Sequence, residues 1–255
     1  MHRCYVHKSA WTEKGVLPSP EEIHHLRHVL RLKEGDEIEV FDGLGKHALA
    51  CLSSATEQTP FTIVKGSVVQ NKMPLQITLF QALPKGKRMD LIIEKAAELG
   101  VTSVWPLLTE RVIVRMDRKQ CAAKVERWQR VALSASKQCG TKWAPCVCPI
   151  SSLSEALASM GRTDLFLVGS LRRNARQLHD VMRDVTTAST GCGTVKTFYR
   201  AALLIGPEGD LTDAETDDAV SAGAIPVTFG ELVLRVETAA LYGMSVLAYE
   251  LARTR

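Results

Sequence analysis

Long apolar runs are missing from this chain of 255 residues. None approaches the roughly 20 residues that span a bilayer, and Met1-His2-Arg3-Cys4 leads into polar sequence without the apolar core of a secretory signal. No membrane partner is expected, and the expected compartment is cytoplasmic. A disulfide framework is missing as well: the seven cysteines are odd in number and scattered, which suits a reducing compartment where thiols stay free. Cys139, Cys146 and Cys148 lie close together, but Cys-x-Cys with no nearby His lacks the spacing of a structural zinc site, so no metal is expected. Nor is there a Rossmann fingerprint, because Gly43-Leu44-Gly45 reads as a turn between short strands and not as a glycine loop joining strand to helix. Internal repeats are absent.

What the chain does have is material for a sizeable core. Hydrophobic residues make up 45% of it, and its length suits one large domain or a small and a medium one. From Ile38 to Val69 short strands alternate with turns at Asp42-Gly43, Gly45 and the polar stretch Ser53 to Pro60, the pattern of a small β-barrel. Gln70-Asn71-Lys72-Met73-Pro74 reads as a linker, giving an expected first domain of residues 1–72 and a second of residues 73–255. After it, apolar strands alternate with helices: Gln76 to Leu83, a helix to Leu99, Val101 to Leu107, a helix from about Lys119 to Cys139, Leu165 to Val168, Ala201 to Ile205, and a final helix to about Ala252. That alternation predicts an α/β fold with a mostly parallel sheet covered on both faces. Residues 184–200, rich in Ser, Thr and Gly, read as a long flexible connection.

The formal net charge of +4 is too small by itself to declare a nucleic-acid partner, so its distribution decides. Residues 1–72 hold nine Lys/Arg against nine Asp/Glu, which leaves the whole excess to the remainder. It concentrates in Lys85-Gly86-Lys87-Arg88, between Arg111 and Lys142, and at Arg172, Arg173 and Arg176. The run from Arg118 to Arg130 reads as a solvated helix face. Lys85, Lys87 and Arg88 follow directly on an apolar strand, a position from which their donors reach phosphate oxygens beside a site at the strand end. Six of the seven histidines fall in the first 72 residues without metal spacing. His24, His25 and His28 sit with Arg27 and Arg31 on a helix expected to start after Pro20, which is either a spectator surface or a contact for RNA backbone.

The most informative stretch lies near the C-terminus. Leu203-Leu204-Ile205-Gly206-Pro207-Glu208-Gly209-Asp210 reads as a buried strand whose carboxyl end breaks into a tight loop, with Pro207 fixing φ and Glu208 held at the tip. Thr212-Asp213-Ala214-Glu215 has capping-box spacing, which predicts a helix from Asp213 with Thr212 as its N-cap. Ile225, Val227 and Phe229 alternate with Pro226 and Thr228 to make a second short strand, Gly230 ends it, and Thr238 opens the final helix after Leu232-Val233-Leu234-Arg235-Val236-Glu237. Two loops of one kind thus become neighbours at strand ends, where ligands gather because loop amides and helix N-termini point N–H groups into the crevice.

Taken together, these two loops resemble the cofactor-binding signature of the RsmE family, the knotted SPOUT-class enzymes that methylate a uridine of 16S ribosomal RNA at N3. The likeness runs through the chain in order. His25-Leu26-Arg27-His28-Val29-Leu30-Arg31-Leu32-Lys33-Glu34-Gly35-Asp36 with Phe41-Asp42-Gly43 is similar to the family's first-domain signature, Lys85 to Asp90 and Glu94 to Val101 to its lysine-rich loop and following helix, and Ala135-Ser136-Lys137-Gln138-Cys139-Gly140 fits in its turn. Three positions depart from the pattern: Leu232 stands where the family has an arginine, Thr141 with Lys142 where Gln-Ser-Gly-Arg would put another, and Asp210 where it has a second glycine, a place at which Asp tolerates φ > 0.

The resemblance implies a PUA-like RNA-binding β-barrel followed by a SPOUT domain with a trefoil knot, a homodimer, S-adenosylmethionine as cofactor, and 16S ribosomal RNA or the small ribosomal subunit as partner. It implies that the cofactor is held by the loops at Leu167, Val168 and Gly169, at Ile205, Gly206, Pro207, Glu208 and Gly209, and at Phe229, Gly230, Leu232 and Leu234. Arg235 is the candidate for stabilising charge on the uracil, and Glu237 or Glu208 for accepting the proton or orienting the ribose. RNA contacts are expected from His25, Arg27, His28, Arg31, Lys85, Lys87, Arg88, Gln138, Lys142 and Arg172. An RNA methylase with another target, such as a ribose oxygen, and a non-catalytic RNA-binding assembly factor on the same fold remain open at this point.

Overall fold

The structure is a computed structural model that describes residues 1–12, 15–53, 61–72, 75–112, 116–187 and 200–252. The chain forms two compact units, Met1–Met73 with Leu133–Ala144, and Pro74–Ala132 with Pro145–Arg255. The division is therefore not a single cut after residue 72, because a segment from mid-chain returns to the first unit.

The first unit is built on six strands, β1 (His2–Tyr5), β2 (Gly15–Val16), β3 (Glu37–Phe41), β4 (Lys46–Leu52), β5 (Phe61–Ile63) and β6 (Val69–Gln70), in the order β1-β3-β4-β5-β2 with β6 on β4. β1 and β3 are parallel and the other pairs antiparallel. Period-two patterning sets its core: along β4, Ala48, Ala50 and Leu52 are buried against Ile38, Val40, Leu26 and Phe61 while the residues between them are half-exposed. Helix α1 (Pro20–His24) starts where expected, with Ser19 Oγ accepting from the Glu22 N–H at 3.3 Å, and runs on into a π-helical turn, His25–Val29. The returning segment is bonded to this unit by the Gly45 N–H donating to Lys142 O at 2.9 Å and the Ala144 N–H to Gly43 O at 3.0 Å. Gln70, expected in a linker, instead pairs in β6; residues 73 and 74, and residues 54–60 of the expected polar turn, lie outside the described residues.

The second unit carries eight strands, β7 (Gln76–Ala82), β8 (Ser103–Leu108), β9 (Cys146–Val147), β10 (Ser151–Ser152), β11 (Leu165–Gly169), β12 (Arg176–Gln177), β13 (Arg200–Ile205) and β14 (Ile225–Thr228). They are ordered β10-β8-β7-β13-β11-β14-β12, with β9 on β8, and every pairing is parallel. The helices are α2 (Arg88–Glu98), α3 (Arg118–Cys139), whose residues from Leu133 onward belong to the first unit, α4 (Leu153–Ser159), α5 (Leu178–Thr187), α6 (Asp213–Ser221) and α7 (Val236–Ala252). Alternate residues of the central strands feed two separate cores. Ala201, Leu203 and Ile205 of β13 join Leu79, Leu167 and the apolar sides of α2, α5 and α7, whereas Ala202 and Leu204 join Phe80, Phe166 and Val168 with α4 and α6. A fully buried Leu or Phe contributes about 1.5–3 kcal/mol relative to exposure, so strands this apolar hold only where both faces are covered.

Two helices and one boundary differ from the sequence-based expectation. α4 and α5 were not expected, and residues 184–187 of the expected connection are the last turn of α5; residues 188–199 lie outside the described residues. The final helix begins at Val236, not Thr238, because the Ala239 N–H donates to Arg235 O at 2.8 Å and closes the first turn earlier. Among the described residues no helix is long and apolar enough to cross a membrane.

Candidate active site

β13, β11 and β14 are consecutive and parallel, so their carboxyl ends open on the same edge of the sheet. The loops beyond them enclose a cleft of about 410 Å3: Gly169 to Leu171 from the first, Ile205 to Glu208 and Asp210 from the second, Phe229 and Leu232 to Val236 from the third, with Arg88 at the rim. This is the crevice that open α/β sheets offer to ligands, and its volume lies within the usual range of about 300–1,000 Å3 for small-molecule sites.

The middle loop is braced from three sides. The Asp210 N–H donates to Pro207 O at 2.9 Å and closes a turn with Glu208 at its tip. From outside, Arg111 Nη1 donates to Gly209 O at 2.6 Å and to Leu211 O at 3.3 Å. Glu208 Oε1 accepts from the Lys85 N–H at 2.9 Å and from Arg88 Nη1 at 2.7 Å, and Arg88 Nε lies 3.5 Å from Glu237 Oε1. Burial alone would push the Glu208 carboxyl up; the Lys85 N–H, its own amide and the charges of Arg88 and Lys85 outweigh that and hold its pKa below the ordinary value. Glu237 Oε2 is buried with no hydrogen-bond partner among the described residues. Beyond the turn, Thr212 and Glu215 form the reciprocal capping box that starts α6 at Asp213.

The first loop is fixed by close packing and by charge. A Cβ at Gly169 would come within 2.9 Å of Phe229 Cε2 and 3.2 Å of Ile205 Cδ1, so only glycine lets the three strand ends meet there. Asp210, at φ 61°, accepts from the Leu211 N–H through Oδ1 at 2.9 Å and from the Leu171 N–H through Oδ2 at 3.1 Å. Arg172 reaches Asp217 Oδ1 at 2.7 Å and Asp213 Oδ1 at 2.9 Å. In the third loop Leu232 and Val233 are 79% and 76% exposed although they line the cleft. Of the two guanidinium groups there, Arg88 is committed to carboxylates, while the exposed Arg235 has no side-chain partner among the described residues.

The structure thus brings Gly169, Ile205, Gly206, Pro207, Glu208, Phe229, Leu232, Leu234 and Arg235 around one cleft. Leu167 and Val168 do not reach it, since they lie inside β11 with side chains fully buried in the two cores; Gly209 turns toward Arg111, and Gly230 is outside the lining. Glu237 lines a neighbouring groove and meets the site through Arg88. Lys85 and Lys87 are exposed at the start of α2, whereas Lys142 is paired with Glu39 and Arg172 with Asp213 and Asp217. His25, Arg27, His28, Arg31 and Gln138 are exposed on the first unit. Leu171, Asp210 and Val236 also line the cleft and lie outside the loops expected to do so; the αL-tolerant Asp at the loop's end was the one signal in the sequence.

A parallel sheet with this cleft, preceded by a small β-rich unit, has the architecture of an RNA methyltransferase, and the family models agree: one described as an RNA methyltransferase domain matches residues 71–248, and one described as an RNA methyltransferase PUA domain matches residues 17–64. The curated relatives narrow the class. Ribosomal RNA small subunit methyltransferase E of Synechocystis sp. is 32% identical over 93% of this chain and 74% of its own, and that of Bacillus subtilis 28% identical over 90% and 88%. Among solved structures, a methyltransferase from Legionella pneumophila in complex with the bound cofactor SAM superposes with a TM-score of 0.80 at 30% identity, covering 98% of this chain and 97% of its own. The ribosomal RNA small subunit methyltransferase E of Neisseria gonorrhoeae, bound to S-adenosyl methionine, gives 0.78 at 30% identity with the same coverage. The chain belongs to the ribosomal RNA small subunit methyltransferase E family. Its α/β fold with a PUA-like domain ahead agrees with the expectation from sequence.

Proposed function

We propose that this protein methylates N3 of a uridine in 16S ribosomal RNA with S-adenosylmethionine as donor, acting in the cytoplasm as a homodimer. The observation that carries the reading is the cleft at three parallel strand ends with Arg235 uncommitted at its wall. The glycine-tight apolar wall of Gly169, Ile205 and Phe229, beside loop backbone at Gly206 to Glu208, suits a flat, partly apolar ligand held through main-chain groups, and the Legionella and Neisseria structures with that cofactor bound support it.

When bound, S-adenosylmethionine supplies the methyl group. N3 lies on the Watson–Crick edge and carries a proton, so the base must be unpaired and the proton displaced before attack. Arg235 stabilises the negative charge that develops on the uracil oxygens. Glu237, with one buried oxygen unpartnered among the described residues, accepts the proton; Glu208, whose carboxylate already accepts from the Lys85 N–H and Arg88, orients the ribose instead. Lys85 and Lys87 meet RNA phosphates, as do His25, Arg27, His28 and Arg31 with Gln138 on the first domain. Lys142, paired with Glu39, and Arg172, paired with Asp213 and Asp217, are less available to RNA than the exposed lysines. The first domain, residues 1–72 with the returning segment 133–144, binds RNA, and the rest of residues 73–255 carries out transfer around a trefoil knot. Tyr242 and Tyr249, 47% and 65% exposed on α7 beside Leu91, line an apolar groove of about 580 Å3 shared with Glu237, which supports a second copy completing the site.

Transfer of labelled methyl to small-subunit RNA lacking the modification, followed by nucleoside identification, tests the reading. A 3-methyluridine product is expected, and a ribose-methylated product or none would overturn it. Arg235→Ala is expected to lower turnover by about two to three orders of magnitude with folding intact; near-normal turnover would remove Arg235 from its role.

A further inference from the structure

We infer that Asp210 is a positioning residue that ties two walls of the cofactor cleft together. The inference rests on the reading that the cleft binds S-adenosylmethionine. Leu171 and Asp210 both line the cleft but come from different loops, one following β11 and the other β13. The bond from the Leu171 N–H to Asp210 Oδ2, 3.1 Å long, joins them directly. Its geometry is set by the left-handed backbone at Asp210, φ 61°, and by the bond from the Leu211 N–H to Oδ1 at 2.9 Å, which fixes the carboxylate's rotation. A glycine there would keep the backbone and lose both bonds.

Other contacts on the first loop act at its ends. The Ser170 N–H donates to Val227 O at 2.9 Å and continues the sheet. Arg172 holds the far end, with Nη2 donating to Asp213 O at 2.6 Å; its ion pairs with the Asp213 and Asp217 carboxylates, whose side chains are 93% and 70% exposed, contribute little. Between those anchors the N–H of the exposed Leu171 has the Asp210 carboxylate as its one acceptor among the described residues. The span Ser170 to Arg172 therefore keeps its place against the middle loop through Asp210. A wall ordered before the ligand arrives lowers the entropic cost of binding.

Three proteins test this: wild type, Asp210→Gly, which tolerates the φ and deletes both acceptors, and Asp210→Asn, which tolerates it and retains one. Calorimetry with S-adenosylmethionine, amide hydrogen exchange at Leu171 in the ligand-free protein, and methyl transfer at varied cofactor are measured on each. Asp210→Gly is expected to lose Leu171 protection and bind the cofactor about tenfold more weakly, as loss of a hydrogen bond to a charged group does, with KM raised and kcat within about twofold. Asp210→Asn is expected to fall between the two in both protection and affinity. Equal affinity of wild type and Asp210→Gly overturns the inference alone. Weak binding by Asp210→Asn with Leu171 still protected also overturns it, since that pattern marks a direct charge contact with the ligand. If wild type itself binds no S-adenosylmethionine, the cofactor reading falls and the inference with it.

Discussion

Replacing Gly243 by alanine sets two effects against each other. Gly243 lies inside α7, and in a helix interior alanine is favoured over glycine by about 1 kcal/mol. Opposing this, the new Cβ would lie 2.6 Å from Leu203 Cδ2, 3.2 Å from its Cδ1 and 3.4 Å from Phe229 Cε1. Carbon atoms prefer about 3.5–4.0 Å, so the nearest contact is too short by roughly 1 Å. Leu203 cannot swing away cheaply: it is fully buried on β13 with Leu79 and Leu167 in register on the neighbouring strands. Overpacking of this kind costs about 1–3 kcal/mol, occasionally more. A contact short by roughly 1 Å against a buried side chain belongs in the upper part of that range, about 2–3 kcal/mol, so clash should win, leaving the variant less stable by about 1–2 kcal/mol and lowering Tm by about 2–8 °C for a chain of this size. Calorimetric or circular-dichroism melts read the shift. An unchanged or raised Tm would show that α7 can lift from the sheet at no cost and would refute the close-packing reasoning.

Two pH-dependent outcomes follow from perturbed groups. Glu208 has its pKa depressed in the fold, so its contribution to stability is present above the ordinary glutamate value of about 4.3 and is lost as pH falls through the lower, folded value. The difference in urea midpoint between wild type and Glu208→Gln should shrink as pH falls below about 4; a difference that grows instead would show the sign to be wrong. Cys146, exposed on β9, has its thiol brought down to about 6 by the hydrogen bond from Cys148, against burial that pushes it up. Its alkylation by iodoacetamide should therefore have a midpoint below the ordinary thiol value of about 8.5, and Cys148→Ala should move the midpoint up toward that value. The same midpoint in both proteins would rule out the thiol pair.

Local signals were read well and long-range ones poorly. The capping box at Thr212 and Glu215 is decided within four residues, and α6 begins there. The same box at Ser152 and Glu155 starts α4 but was passed over, and Leu178, Val181, Met182 and Val185 of α5 were hidden behind the Ser/Thr-rich segment that follows. For the site, the loops were legible because each follows an apolar strand. Leu167 and Val168 give no side chain to the crevice, because a strand buried on both faces does not open to it until it ends at Gly169. Arg172 read as a free cation since its partners, Asp213 and Asp217, lie more than 40 residues away and only the fold brings them near.

Residues 133–144 carry a consequence for how the protein is made. Within the first unit, Arg3 Nη1 donates to Lys137 O and Gln138 O, both at 3.0 Å, and Glu22 pairs with Lys137. On a translating ribosome the strands up to residue 70 emerge well before these partners exist. At about 5–20 residues per second the wait is roughly 4–14 s, during which the nascent unit lacks its closing segment. Its completion is thus timed by elongation through the first part of the other unit, and a truncation at residue 72 would freeze the chain in that unfinished state.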